Sequence, residues 1–214
     1  MSNFSMGMAA AAVISMAGTA FGGYTFTQSA APAPTYATTL NFDEPGTPTG
    51  TVATNAFASY GISYLDAGDG NPYVADLTGV PGYGWCGTGN SFQGHYGVFL
   101  NWDSDITEFS TQFWDPSGPP SPFGGGAVAF LFNDGVQVGD AFGYSFEPAW
   151  GGVGDEWLNV TTDGGSVFDE IRILGFGFFP ESHVDNLSWN AVPAPGSAIA
   201  LGALGLAGLR RRRA

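Results

Sequence analysis

Along residues 107–114 (TEFSTQFW) apolar and polar positions alternate, with Phe109, Thr111 and Phe113 facing one way and Glu108, Ser110 and Gln112 the other. That is the period of a strand with one buried face and one wet face. Residues 127–133 (AVAFLFN), then Asp134-Gly135, then 136–138 predict two strands joined by a tight hairpin, because Asp-Gly supplies the positive φ values of a type I′ turn. The same patterning places strands over 37–42, 57–65, 96–102, 157–162, 171–178 and 183–189. About eight or nine strands at this spacing, without helical periodicity beyond a turn or two and without a fixed repeat, predict an all-β fold. The expected architecture is a jelly-roll-like β-sandwich over residues 39–191.

The two ends break this pattern. Residues 6–21 (MGMAAAAVISMAGTAF) form an apolar, small-residue run too short to span a bilayer comfortably, with Gly18 and Ala20 placed for signal-peptidase cleavage. Residues 1–21 are therefore expected to be a signal peptide, although no Lys or Arg precedes the run. Residues 22–38, rich in Ala, Pro, Thr and Ser (QSAAPAPTYAT), are expected to be a linker, since such a composition buries little apolar surface. Cleavage after Ala31 or Ala37 fits equally well. At the other end come Val192-Pro193-Ala194-Pro195-Gly196-Ser197, an apolar stretch at 198–209 (AIALGALGLAGL), and Arg210, Arg211, Arg212 and Arg213. The prolines stop the preceding strand, the apolar stretch partitions into lipid, and the arginines hold the end on the cytoplasmic side. A helix over 195–209 would be about 22 Å long against a hydrocarbon core of ~30 Å. Such a short transmembrane helix suits transient anchoring.

Composition sharpens the picture. Among 214 residues there are 34 glycines and 14 prolines, 15% are aromatic, and lysine is absent. Nineteen carboxylates against Arg172 alone give residues 1–209 a charge of −18, and the four later arginines bring the chain to −14. A surface of that sign repels nucleic acid and anionic lipid. It suits solubility outside a cell or the binding of divalent cations.

The order of motif, apolar stretch and arginine cluster over about the last 23 residues resembles the PEP-CTERM sorting signal. That signal belongs to exported proteins of Gram-negative bacteria that make extracellular polysaccharide. Pro193 and Pro195 match the prolines of its Pro-Glu-Pro motif, Ala194 stands where the family usually has Glu, Gly196 follows, and Arg210 to Arg213 match the cluster. The resemblance implies processing by an exosortase, a membrane protease-transpeptidase with a Cys nucleophile. It also implies export to the cell surface or beyond, with a transient inner-membrane stage in which the C-terminal helix touches the membrane. The segment 192–214 is thus expected to be a sorting tail.

Residues 40–44 (LNFDE) and 184–189 (VDNLSW) resemble the first and last strands of carbohydrate-binding-module-like jelly rolls. In those folds the two strands often pair beside a structural calcium. The resemblance implies Glu44 and Asp185 as side-chain ligands, with Asp43 in reserve. Hard carboxylates from adjacent strand ends supply the oxygens calcium takes. The alternative is that these acids cap turns or solvate an edge. A second oxygen-rich stretch, Asp66, Asp69, Asn71 and Asp76, fails the EF-hand pattern because Gly68 and Gly70 stand at ligand positions.

Tyr83, Trp85, Trp102, Trp114, Trp150 and Trp157 are large aromatics, most of them expected in the core. Tyr83 and Trp85, in the turn-rich run VPGYGWCGTGN, are the candidates for exposed sugar stacking. No catalytic residues are assigned. His95 and His183 join no G-x-S-x-G elbow, Cys86 lacks His or Asn partners at a recognisable spacing, and zinc, phosphate-loop and dinucleotide motifs are absent. The expected function is a non-enzymatic surface or matrix protein associated with extracellular polysaccharide. The alternatives are a lectin-like, calcium-stabilised carbohydrate-binding module or a glycoside hydrolase.

Overall fold

The computed structural model describes residues 20–21, 23–29, 36–78, 89–114, 126–145, 157–176 and 181–192. Twelve strands are defined among them: β1 (Ala20–Phe21), β2 (Tyr24–Ser29), β3 (Thr38–Leu40), β4 (Ile62–Ala67), β5 (Tyr73–Asp76), β6 (Asn90–His95), β7 (Val98–Trp114), β8 (Gly126–Asn133), β9 (Val136–Ser145), β10 (Trp157–Thr162), β11 (Phe168–Phe176) and β12 (Glu181–Ala191). Every pairing between them is antiparallel. Apart from a 3-10 turn at Ala58–Tyr60, no helix occurs among the described residues. The fold is all-β.

One strand organises the rest. Leu100, in the first part of the 17-residue β7, lies between Leu65 of β4 and Ile171 of β11, and β8 and β9 follow β11 outward. Phe109, further along the same strand, lies between Val160 of β10 and Trp189 of β12. Beyond β10 come β2 and β1, and beyond β12 come β6 with β5, and β3. β7 thus belongs to two strand layers, an arrangement consistent with a β-sandwich. The layers meet on Trp102, whose ring centroid is 5.3 Å from Phe109, 5.9 Å from Phe168 and 6.0 Å from Trp189. Phe26 of β2 stacks on Phe142 of β9 at 5.2 Å and joins the layers again at the far side.

The Asp134-Gly135 hairpin forms as its residues require, with φ of 50° and 74°, joining Asn133 to Val136. The strands expected over 96–102 and 107–114 are one strand, because backbone bonds carry the acidic stretch between them. Asp103 N–H donates to Gly61 O (3.0 Å), and Asp105 O accepts from Val192 N–H (2.8 Å). The strand expected over 57–65 begins instead as the 3-10 turn, which Gly61 ends in a left-handed conformation (φ 81°) before β4 starts. The largest correction concerns the linker: 24–29 (YTFTQS) form β2, paired along its whole length with β10. Averaging composition over 22–38 hid a short run of alternating aromatic and β-branched residues, the pattern of a strand. The folded body therefore includes residues ahead of position 39.

Phe26 is 4% exposed, so Phe26→Ala should lower the unfolding free energy by about 3 kcal/mol. Phe142→Ala should cost a similar amount, and the double variant less than the two together, because the rings share one contact. Urea titration reads all three, and an unchanged midpoint for Phe26→Ala would separate β2 from the core.

Candidate functional site

The outer edge of β12 is covered by two strands laid end to end. β6 pairs with it at Glu181, Ser182, His183 and Val184, and β3 pairs with it at Leu187, Ser188 and Trp189. The expected pairing of the β3 segment with the last strand is present. Asp185 and Asn186 fall in the gap. There β12 carries one extra residue relative to β7, since Asp185 stands opposite Gln112 while Ser188 stands opposite Ser110. Asn186 takes up this bulge with φ of 51°, a conformation Asn tolerates better than most residues.

The acids that follow β3 enter the same gap. Asp43 Oδ1 accepts from the backbone N–H of Asn90 (2.8 Å), at the first residue of β6. Glu44 Oε1 accepts from Asn41 N–H (2.9 Å), and Glu44 Oε2 is buried with no hydrogen-bond partner among the described residues. Gly89 makes room for Asp43: a Cβ there would lie 2.3 Å from Asp43 Oδ2, and its φ is 91°. On the β12 side, Asp185 Oδ1 accepts from Asn186 N–H (2.6 Å) and Oδ2 from Asn186 Nδ2 (3.2 Å). Asn186 Nδ2 also donates to Gln112 Oε1 (2.9 Å).

Asp185 is only 4% exposed. Burial pushes its pKa up to about 7; the Asn186 N–H opposes this, and the charges of Asp43 and Glu44 add to it. Asp43, Glu44 and Asp185 are thus brought into electrostatic range of one another. Among the described residues, however, no group of three or more His, Cys, Asp or Glu side chains is placed to hold a metal ion. The donor chemistry suits a hard cation, but each of the three acids already accepts a backbone N–H.

The face of β7 expected to be wet is covered at Ser110, while Glu108 and Gln112 stay partly exposed. Ser110 is fully buried and donates to Asn159 Oδ1 (2.6 Å), while Asn159 Nδ2 donates to Ser29 Oγ (2.7 Å), linking β7, β10 and β2 through side chains. Tyr36 lies against this row. Burial, and next the charge of Glu108, raise its hydroxyl pKa to about 12, with Ser110 pulling the other way. Asn190 Nδ2 donates to Glu108 Oε2, and Asn190 Oδ1 accepts from Ala37 N–H (2.7 Å). Polar strand residues here bond to one another across the strands.

In the second acidic stretch Asp69 Oδ1 accepts from Asn71 N–H, Asp76 Oδ1 accepts from Thr78 N–H, and Asp66 Oδ2 accepts from Tyr64. It is a set of local turns rather than a cation loop. Trp102 is core and Trp157 is half-buried. Tyr83, Trp85, Cys86 and Trp150 lie outside the described residues, as do most of the expected signal segment and the sorting residues Pro193 to Gly196 and Arg210 to Arg213. Among the described residues no helix is long and apolar enough to cross a membrane. Asn90, Gly89, Gln112 and Asn186 were missed as parts of the acidic junction. Only Asn186, next to Asp185, carried a local signal. No protein-family model matches the chain, and no curated protein matches it.

In the unfolded chain Asp185 gives up its proton near the ordinary carboxylate range, whereas the fold keeps it to about pH 7. Between those limits the native state binds more protons, so stability falls as pH rises from about 4 to about 7. The drop is on the order of a few kcal/mol. Asp185→Asn should flatten this slope and be more stable than the parent at pH 8, with little difference at pH 4. Urea midpoints measured across that range decide it, and parallel profiles would remove Asp185 as the source.

Proposed function

We propose that this is an exported cell-surface or extracellular-matrix protein, non-enzymatic and associated with extracellular polysaccharide. Its body is a jelly-roll-like sandwich, and its PEP-CTERM-like tail is the substrate of an exosortase-type membrane protease. The observation that carries the reading is the segregation of charge: one arginine in residues 1–209, then four in succession directly after an apolar stretch. Val192 N–H donates to Asp105 O at 2.8 Å, so the last described residue before Pro193 is still tied to the body. A body bearing −18 with no lysine stays soluble and unattached to other polyanions in a hydrated polysaccharide layer.

Intact mass spectrometry of protein recovered from its native host tests this. The surface-located species should lack Arg210 to Arg213 and the apolar N-terminal run while retaining β2. Recovery with the four arginines attached would reduce the tail to a plain anchor.

One observation favours a second reading, a calcium-stabilised lectin-like module. Asp43 and Glu44 raise the pKa of Asp185, and a divalent cation would relieve the same repulsion that a proton relieves. Extracellular modules bind calcium at ~10⁻⁴–10⁻³ M, and a hundredfold excess over the dissociation constant would add about 2.7 kcal/mol. The melting midpoint at pH 8 should then rise with millimolar calcium, fall back with EDTA, and ignore both in Asp185→Asn. Equal midpoints throughout would leave the three acids as strand-end residues.

A further inference from the structure

The outward face of the β4–β7–β11–β8 layer is aromatic where a solvated sheet face should be polar. Its side chains form two rows across the strands. Tyr64, Asn101, Glu170 and Phe132 are successive register partners, and so are Asp66, Phe99, Arg172 and Phe130. The inward residues between them, Leu65, Leu100, Ile171 and Leu131, are fully or almost fully buried, so the sandwich core has no need of the outer aromatics. Tyr64 is 38% exposed, and Phe99, Phe130 and Phe132 are half-exposed.

Arg172 sits at the centre of this face. Its guanidinium carbon is 4.0 Å from the Phe132 ring centroid and 5.8 Å from that of Phe99, and its Nε donates to Glu170 Oε1. Tyr64 donates to Asp66 Oδ2. Tyr64, Phe99, Asn101, Glu170 and Arg172 line an open cleft of about 350 Å³. Flat apolar rings alternate here with a guanidinium, a carboxylate and an amide, held by ion pairing and stacking before any ligand arrives.

We infer that this cleft binds a neutral saccharide chain, Tyr64 and Phe99 stacking on sugar rings while Asn101 and Arg172 exchange hydrogen bonds with their hydroxyls and Glu170, 7% exposed, holds Arg172 in place. The inference rests on the polysaccharide association proposed above and gives it a place. A pyranose ring presents apolar C–H faces and a rim of hydroxyls that both donate and accept, which matches rings flanking mixed donors and acceptors. Charge selects against the other occupants. An acidic polymer or a second copy of a chain at −14 is repelled by the whole surface, and a cationic segment, which that surface attracts in general, finds in the cleft a carboxylate already paired, Glu170 with Arg172. Arg172 is itself neutralised by Glu170, so the cleft asks for no net charge in its ligand.

The test is electrophoresis of the full-length chain in native gels containing dextran, galactomannan, laminarin or hydroxyethylcellulose, with alginate as the anionic control. Retardation is expected in at least one neutral gel, weakened roughly tenfold or more in Tyr64→Ala and in Arg172→Gln. Tyr64 lies outside the core, so Tyr64→Ala keeps the test decisive if removing Arg172 destabilises the fold by leaving Glu170 unpaired. Unchanged retardation in a folded Tyr64→Ala and a folded Arg172→Gln would overturn the cleft while leaving polysaccharide association standing. Absence of retardation in every neutral gel, or retardation in alginate alone, would overturn it too. In that event, co-sedimentation of the parent with polysaccharide from its host decides the association separately. A dimer that Tyr64→Ala dissolves would reassign the face to self-association.

Discussion

Backbone pairing on both edges of β7 is the constraint on which the two-layer arrangement depends. Strand twist accumulates over its 17 residues, so the partners at one end of the strand are turned away from those at the other. Its neighbours therefore diverge into two layers, with β4 and β11 at Leu100 and β10 and β12 at Phe109. Trp102 fills the angle where they part. Acidic residues at the bend do not break the strand, because Gly61 and Val192 keep the backbone of Asp103 and Asp105 bonded.

The charge surplus becomes a local problem at the gap between β3 and β6. Most carboxylates of this body face water and repel one another weakly across it. Asp185 is different, since the bulge at Asn186 turns it into a buried position near two further acids. The fold answers partly with backbone and amide donors and partly with a proton. A group so placed couples stability to acidity.

The two outer faces then divide the chemistry. On the β12–β7–β10–β2 layer the outward polar residues bond to each other, as in the Ser110, Asn159 and Ser29 row, and Tyr36 lies over them. Those hydrogen bonds take up the polar groups of that row, while Thr27 and Thr161 on the same face stay exposed. On the opposite layer the outward residues are rings around Arg172 and leave an open cleft. Tyr64 and the partly exposed Phe99, Phe130 and Phe132 make this the face on which the proposed contact would form.

Alternation and turn chemistry alone determined the all-β class and the Asp134-Gly135 hairpin, while the pairing of the early strand with the last one was implied by the resemblance of residues 40–44 and 184–189 to jelly-roll strands. The first two are local, or arise from patterns that permit one burial arrangement. The asymmetry of charge was equally plain, being a property of order and composition. What only the tertiary structure decided was which stretches share a strand and which faces are covered. The run AVAFLF does not tell that Phe130 and Phe132 stay partly exposed, because nothing within one strand records what lies over its outer face. Likewise Glu44 and Asp185 are 141 positions apart, and their mutual repulsion exists because β3 and β6 stop short of each other along β12. Local propensity acts between neighbours in the chain, whereas burial and electrostatic range are set by neighbours in space.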